Sequence, residues 1–279
     1  MSLADFLVET GSRSKRLAGR SIGLPRLRAE ALLPYAVPVA ILILWEIAGA
    51  TGLVADTVLP RPSAILATAS QMLWSGELLT HLGVSALRAL AGLAVGGGIG
   101  FLLGVANGTS RISETLTDST LQMVRNIPHL ALIPLVILWF GIGEGAKLFL
   151  VALGVFFPIY LNTLHGIRNV DGQLIEMGRA YGMTPRQLFL RIVLPGALPS
   201  IFVGLRYGLG IMWLTLIVAE TLSASSGLGY MAMKAREFMV LDVVILSILL
   251  YALLGKLADS LTRALERRAL KWSPAYANR

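Results

Sequence analysis

The chain has 279 residues, 55% of them apolar and only 14% charged, with a net charge of +8, three histidines and no cysteine. Its mean hydropathy is +0.72. Such a composition excludes an ordinary soluble domain, and the missing cysteines exclude disulfides, thiolate metal sites and thiol catalysis.

The amino tail carries Arg13, Lys15, Arg16, Arg20, Arg26 and Arg28. It lacks the apolar core and small-residue cleavage site of a signal peptide, so the first span is expected to be retained. Six apolar stretches follow, near 33–51, 82–107, 118–142, 146–166, 195–222 and 240–262. Each is long enough for the roughly 20 residues a bilayer requires. The expected fold is therefore all-α and polytopic. An amino tail (1–32) precedes a six-helix membrane domain (33–266), and a carboxyl tail (267–279) follows it. The basic residues orient this arrangement. Sixteen of the 24 lie in the two tails and in the 108–117 and 167–194 loops, while four lie in the remaining loops. Cationic residues concentrate on the cytoplasmic side, which puts both termini and the 167–194 loop there. A basic excess of this kind reflects orientation rather than nucleic-acid binding.

Between the tail and the second span, Leu59-Pro60-Arg61-Pro62-Ser63 reads as a turn. Ile65, Leu66, Ala69, Met72 and Leu73 then read as an interfacial helix that anchors the chain laterally. The second span carries Gly92, Gly96, Gly100, Gly104 and Gly108, a ladder at every fourth residue. Small residues at this spacing let membrane helices approach closely, either within this chain or against a second copy. Pro128 and Pro134 interrupt the third span beside Arg125, Asn126 and His129. Irregular backbone at membrane depth lines a cavity or is buried in protein, so Arg125 and His129 are candidates for a translocation pathway. Arg206 lies eleven residues beyond Pro195. That is about 16 Å along a helix, and it calls for a cavity or a counter-charge, with Glu46 and Glu220 the acids considered.

The 167–194 loop is polar and set between two apolar runs. Leu174, Met177, Gly178 and Tyr181 share one face of a short helix that Gly182 is suited to end. Thr184 caps a second helix, with Pro185 at its first position and Gln187 three residues after the cap. Pro195 is expected to end or kink that helix at the next span. Two short helices at a fixed angle form a rigid knuckle. By shape alone it also resembles a DNA-reading motif, but confinement between two spans argues against that.

The order Glu176-Met177-Gly178, three residues, Gly182, nine residues, Ile192, one residue, Leu194-Pro195 resembles the "EAA" loop. That loop belongs to permease subunits of binding-protein-dependent ABC importers. Met177 and Gly178 replace its two alanines. The stretches 125–134, 139–142, 157–160, 164–169, 213–220 and 226–230 are similar to aliphatic-sulfonate permeases, and the likeness extends over roughly 34–276. It implies a type I importer architecture. It also implies that Glu176, Met177, Gly178, Ala180, Tyr181, Gly182 and Pro185 couple to a cytoplasmic ATPase present in two copies. Further implied partners are a second copy of the permease, a periplasmic or lipid-anchored binding protein, and the lipid of a bacterial inner membrane. Gly227, Gly229 and Tyr230 would belong to an outer gate, and Glu220 joins the pathway candidates.

The residues agree with this division of labour. There is no phosphate-binding loop, because Gly255-Lys256 is followed by leucine, and there is no His/Cys ligand cluster. The expected chain is a transport subunit without its own cofactor, ATP and Mg being bound by the partner. Nitrate, taurine or another small anion is the alternative cargo. An ion-coupled secondary transporter is the rival of another class, but it calls for repeated halves with matched broken segments. A membrane-embedded enzyme would need a catalytic constellation, and none is visible.

Overall fold

The computed structural model describes residues 26–272. They fall into two compact units divided after Asp56. In the first, α1 (Arg26–Ala50) contains the apolar run Tyr35–Ala50 at the position of the first expected span. Its Val37, Ile41 and Leu44 are exposed, as suits a helix among lipid tails. The helix ends at Thr51, whose hydroxyl donates to the Ile47 carbonyl (2.8 Å), and Gly52 turns the chain at φ 75°. Of the expected tails, residues 1–25 and those beyond 272 lie outside the described residues.

The second unit is entirely helical among its described residues. Its elements are α2 (Pro62–Trp74), α3 (Glu77–Gly92), a π turn (Leu93–Gly97) and α4 (Gly98–Thr109), followed by α5 (Arg111–Arg125), a short 3-10 turn (His129–Leu132), α6 (Ile133–Phe140) and α7 (Glu144–Arg168). The knuckle contributes α8 (Gly172–Ala180) and α9 (Pro185–Leu188), and a π turn (Phe189–Val193) leads into α10 (Leu194–Ser223). Helices α11 (Leu228–Glu237) and α12 (Leu241–Ala269) complete the unit.

Four helical runs are long and apolar enough to cross a membrane: 77–109, 144–168, 185–222 and 241–269. The third expected span is a bent pair, α5 and the 129–140 segment, crossing at 81°. The two prolines in it act differently. Pro128 sits in the break itself, whereas Pro134 lies in the first turn of α6, where a missing N–H costs nothing. Pro195 does not end the helix that precedes it. The π turn just before it brings α9 into α10 as one continuous run.

Helix α7 is the most enclosed span, with Val151 and Val155 buried against Leu209, Met212 and Leu216 of α10 and Ala89 of α3. The glycine ladder supplies its other wall. A Cβ at Gly100 would lie 2.6 Å from the Phe156 carbonyl oxygen. One at Gly104 would lie 2.7 Å from Thr163 Cβ, and one at Gly108 would lie 2.9 Å from Ile167 Cβ. Gly92 and Gly96 meet Val151 and Ala152 in the same way. The five glycines therefore face α7 of their own chain. Asn107, buried beside this seam, donates to the Tyr160 hydroxyl (2.9 Å) and the Thr117 hydroxyl (2.7 Å), and accepts from Ser113 (2.6 Å). These bonds fix the start of α5 against the second and fourth spans.

Candidate functional site

Three polar regions interrupt the apolar unit: the knuckle, the bend of the third span and a cluster around Glu220. The knuckle forms as its residues dictate. The Asp171 carboxylate accepts from the Gln173 amide (2.9 Å) and caps α8. At the other end Gly182 takes φ 70°, and the amides of Gly182 and Met183 bond back to Arg179 and Gly178 (2.9 and 3.0 Å). Thr184 and Gln187 form a reciprocal capping box, with Pro185 in the first turn of α9. Gly178 is buried, and a Cβ there would lie 2.7 Å from both Leu188 and Ile192. The two helices consequently lock onto one another. Ile175 packs inward against Ile167, Val193 and Ala197, whereas Leu174 and Met177 of α8 and Tyr181 just beyond it turn outward, Met177 being 48% exposed and Tyr181 80% exposed. Glu176 and Ala180 are exposed beside them. A stiff backbone with exposed apolar side chains is a candidate docking surface.

At the bend, a cavity of about 230 Å³ is lined by residues that include Arg125, His129, Gly154, Phe157 and Ile211. His129 Nε2 lies 3.0 Å from the Thr215 hydroxyl of α10. Gly154 permits this approach, since a Cβ there would lie 2.9 Å from Thr215 Oγ1 and 3.5 Å from His129 Nε2. Arg206 is elsewhere, and Glu220 is not its partner. Its guanidinium donates to Asp259 (3.1 Å) and approaches Glu266 (4.0 Å), both on α12. Asp259 also binds Arg263 one turn on. Arg206 is thus an ion-paired residue, 37% exposed.

Glu220 is 1% exposed, and its carboxylate accepts from three other elements of the chain. The Ser85 hydroxyl (2.8 Å) and Arg88 Nη1 (2.8 Å) donate from α3. The Gly229 amide (2.9 Å) donates from the start of α11, and the Tyr251 hydroxyl (3.0 Å) from α12. Arg88, 7% exposed, also makes a paired contact with Glu144 (2.5 and 2.6 Å) and donates to the Ser226 carbonyl (2.5 Å). Lys147 joins through Glu144 (3.0 Å). The loop preceding α11 is drawn in by three consecutive amides. Gly227 donates to His81 Nδ1 (3.0 Å), Leu228 to Ser85 (2.8 Å) and Gly229 to Glu220. Gly227 adopts φ 114°, and a Cβ there would run into the Glu220 carboxylate.

Sequence reading found Glu220 but missed Ser85, Arg88 and Tyr251 as its partners, and Glu144 and Lys147 as theirs. One signal was available. His81, Ser85 and Arg88 fall at i, i+4 and i+7 of an otherwise apolar helix, so they form a polar stripe on one face. Asp259 and Glu266, which hold Arg206, likewise sit one face apart near the end of α12.

Residues 96–271 match the family described as the binding-protein-dependent transport system inner membrane component. The chain belongs to this family. It is a multi-pass inner-membrane transport subunit of an ABC importer and not an enzyme, because in such importers the ATPase is a separate subunit. Subunits of this kind work with ATPase and solute-binding partners and dimerise. Membership removes the secondary transporter and the membrane enzyme as readings. The chain is 56% identical over 243 residues to SsuC of Escherichia coli (strain K12), named as an aliphatic sulfonates transport permease, covering 87% of this chain and 92% of that one. The Bacillus subtilis (strain 168) protein of the same name is 46% identical, with 86% and 87% covered. TauC of Escherichia coli, named as a taurine transport system permease, is 34% identical, with 83% and 86% covered. A crystal structure of an amino acid ABC transporter with histidines superposes with a TM-score of 0.57 at 18% identity, covering 72% of this chain and 97% of that one. That likeness establishes the importer fold.

Proposed function

We propose that the chain is the permease through which a bacterial ABC importer moves aliphatic sulfonates inward, two copies forming the pathway between two ATPase subunits. ATP and Mg would be held by the ATPases, and a periplasmic or lipid-anchored binding protein would deliver the solute. The observation that carries the cargo is the 56% identity to SsuC over most of both chains. It outweighs the 34% identity to TauC, which keeps taurine as the second reading. Both termini and the knuckle lie in the cytoplasm on this reading, in line with the distribution of lysine and arginine.

Coupling rests on the exposed face of α8. Glu176, Met177, Ala180 and Tyr181 would enter the ATPase surface, while Gly178, Gly182 and Pro185 keep the backbone stiff enough to transmit a push. Closure of the ATPase pair would then swing the spans as rigid bodies. Along the pathway we favour Arg125 and His129 over Arg206, whose charge Asp259 already engages.

The test is uptake by the complete importer in proteoliposomes, with ethanesulfonate, taurine and nitrate offered in turn. Ethanesulfonate is expected to be accumulated at the expense of ATP, with taurine and nitrate slower. Accumulation of nitrate alone would overturn the cargo. In the same vesicles Gly182→Pro, which imposes φ near −65° where the fold needs 70°, should abolish uptake. Undiminished uptake in that variant would remove the knuckle from coupling.

A further inference from the structure

The cavity at the bend of the third span has a composition that the transport reading leaves unexplained. Its lining brings the cationic Arg125 and the polar His129, which contacts Thr215, together with the apolar Leu153, Phe157, Leu161 and Ile211. Arg125 makes no ion pair among the described residues, unlike Arg88, Arg168 and Arg206, each of which has a carboxylate partner.

Arg125 is exposed at the end of α5, where the third span bends by 81°, and Gly154 lies beside it in the lining of the same cavity. A guanidinium without a carboxylate partner can receive an anion there. The approach is equally polar. Thr115, Ser119, Gln122 and Asn126 are exposed on one face of α5, leading from the knuckle end to the break.

Resting on the importer reading above, we infer that this cavity is a transient site for an alkanesulfonate, with the sulfonate on Arg125 and the alkyl chain against Leu153, Phe157, Leu161 and Ile211. A sulfonate spreads one charge over three oxygens, and a guanidinium offers paired donors in a matching fork. His129, held by Thr215, adds a neutral polar contact beside it. The volume selects the tail. At about 230 Å³ the cavity is smaller than the roughly 300–1,000 Å³ clefts that take drug-sized ligands, a size that suits short alkyl chains over long ones. With one charged contact and a flat apolar wall the site holds the anion weakly enough to release it, as conduction demands. Cavity and anion together form a chain-length filter inside the permease, separate from any selection by the binding protein.

The experiment uses the complete importer in proteoliposomes, with ethanesulfonate and hexanesulfonate as probes. Arg125→Gln should lower uptake of both per ATP hydrolysed by at least about tenfold, and Arg125→Lys should recover part of it. Leu161→Phe, which shortens the apolar wall, should reduce the hexanesulfonate-to-ethanesulfonate uptake ratio at least about fivefold. Wild-type uptake per ATP in Arg125→Gln would overturn the inference, and so would failure of that variant to assemble, which would make Arg125 an interface residue. An unchanged chain-length ratio in Leu161→Phe would also overturn it. A wild-type importer that accumulates neither sulfonate would instead overturn the functional reading itself, and this site with it.

Discussion

The Glu220 cluster turns its charges inward, whereas the 171–188 knuckle turns its side chains out. Around Glu220, acid, guanidinium, hydroxyls and amides from α3, α10, α11 and α12 meet one another, and Arg88 and Glu220 are almost entirely withdrawn from solvent. The knuckle uses side-chain polarity for little more than its caps, and leaves Met177 and Tyr181 in the open. In lipid an unpaired charge has no water to fall back on, so a charged residue there must be answered from within the chain or face a cavity. In the aqueous phase that constraint disappears, and exposed apolar area becomes the feature that needs explaining. Burial of the first kind fixes helices relative to one another; exposure of the second kind awaits a second molecule.

Mutations that treat the two regions alike should therefore give unlike results. The largest effect belongs to Glu220→Ala, which leaves the buried Arg88 facing only Glu144 and strips the Gly229 amide and the Ser85 and Tyr251 hydroxyls of their acceptor. Removing one partner of a buried pair costs about 3–5 kcal/mol. Thermal unfolding of the purified subunit in detergent should shift accordingly, and Glu220→Gln, which keeps an acceptor oxygen, should shift it less. An unfolding midpoint unchanged in both variants would mean that the cluster does not hold the four elements together.

An intermediate effect is expected at the knuckle cap. Thr184→Ala removes the acceptor for the Gln187 amide and breaks the capping box, a loss of about 1 kcal/mol. Because α9 runs without interruption into α10, the loss should appear as faster amide exchange over 184–188 and leave the spans unchanged. Faster exchange spreading through α10 would instead show that the knuckle and the span unfold together, blurring the contrast between the regions.

Much of this arrangement was legible in the sequence because local chemistry decides it. Gly182, Thr184, Pro185 and Gln187 specify a helix end and a helix start within six residues, and both formed as their types dictate. The second, fourth, fifth and sixth spans followed from hydropathy for the same reason, while the first is a shorter apolar run and the third a bent pair. What escaped was non-local. Nothing in the sequence near Arg206 points to Asp259, 53 residues away, and Glu220 meets Ser85 across 135 residues. The partner of the glycine ladder was likewise undecided until α7 was seen against it. Pro134 and Pro195 misled in a different way. A proline breaks a helix only where an N–H was needed, and each of these sits in a first turn or behind a π turn, where none was.

The smallest effect on stability should come from the residue whose loss matters most to the partner. Tyr181 is 80% exposed and closes α8 through its backbone alone, its amide donating to the Met177 carbonyl (3.0 Å). Tyr181→Ala keeps that bond and removes only a ring in contact with solvent, so unfolding should move by less than about 0.5 kcal/mol. If α8 is a docking face, the same ring fills a pocket on the ATPase, and aromatic anchors of this kind commonly cost 2 kcal/mol or more when truncated. That corresponds to roughly thirtyfold weaker attachment of the ATPase, measurable by titrating the two purified components. Glu220→Ala should give the opposite pair of readings, a large loss of stability with attachment reduced only in proportion to the unfolded fraction. The crossed result separates the two regions by cause: one is stable because its polar groups are satisfied, and the other is functional because its apolar groups are not. If Tyr181→Ala binds the ATPase as tightly as the unaltered chain, the exposed face of α8 is a solvated surface and the contrast drawn between the two regions fails.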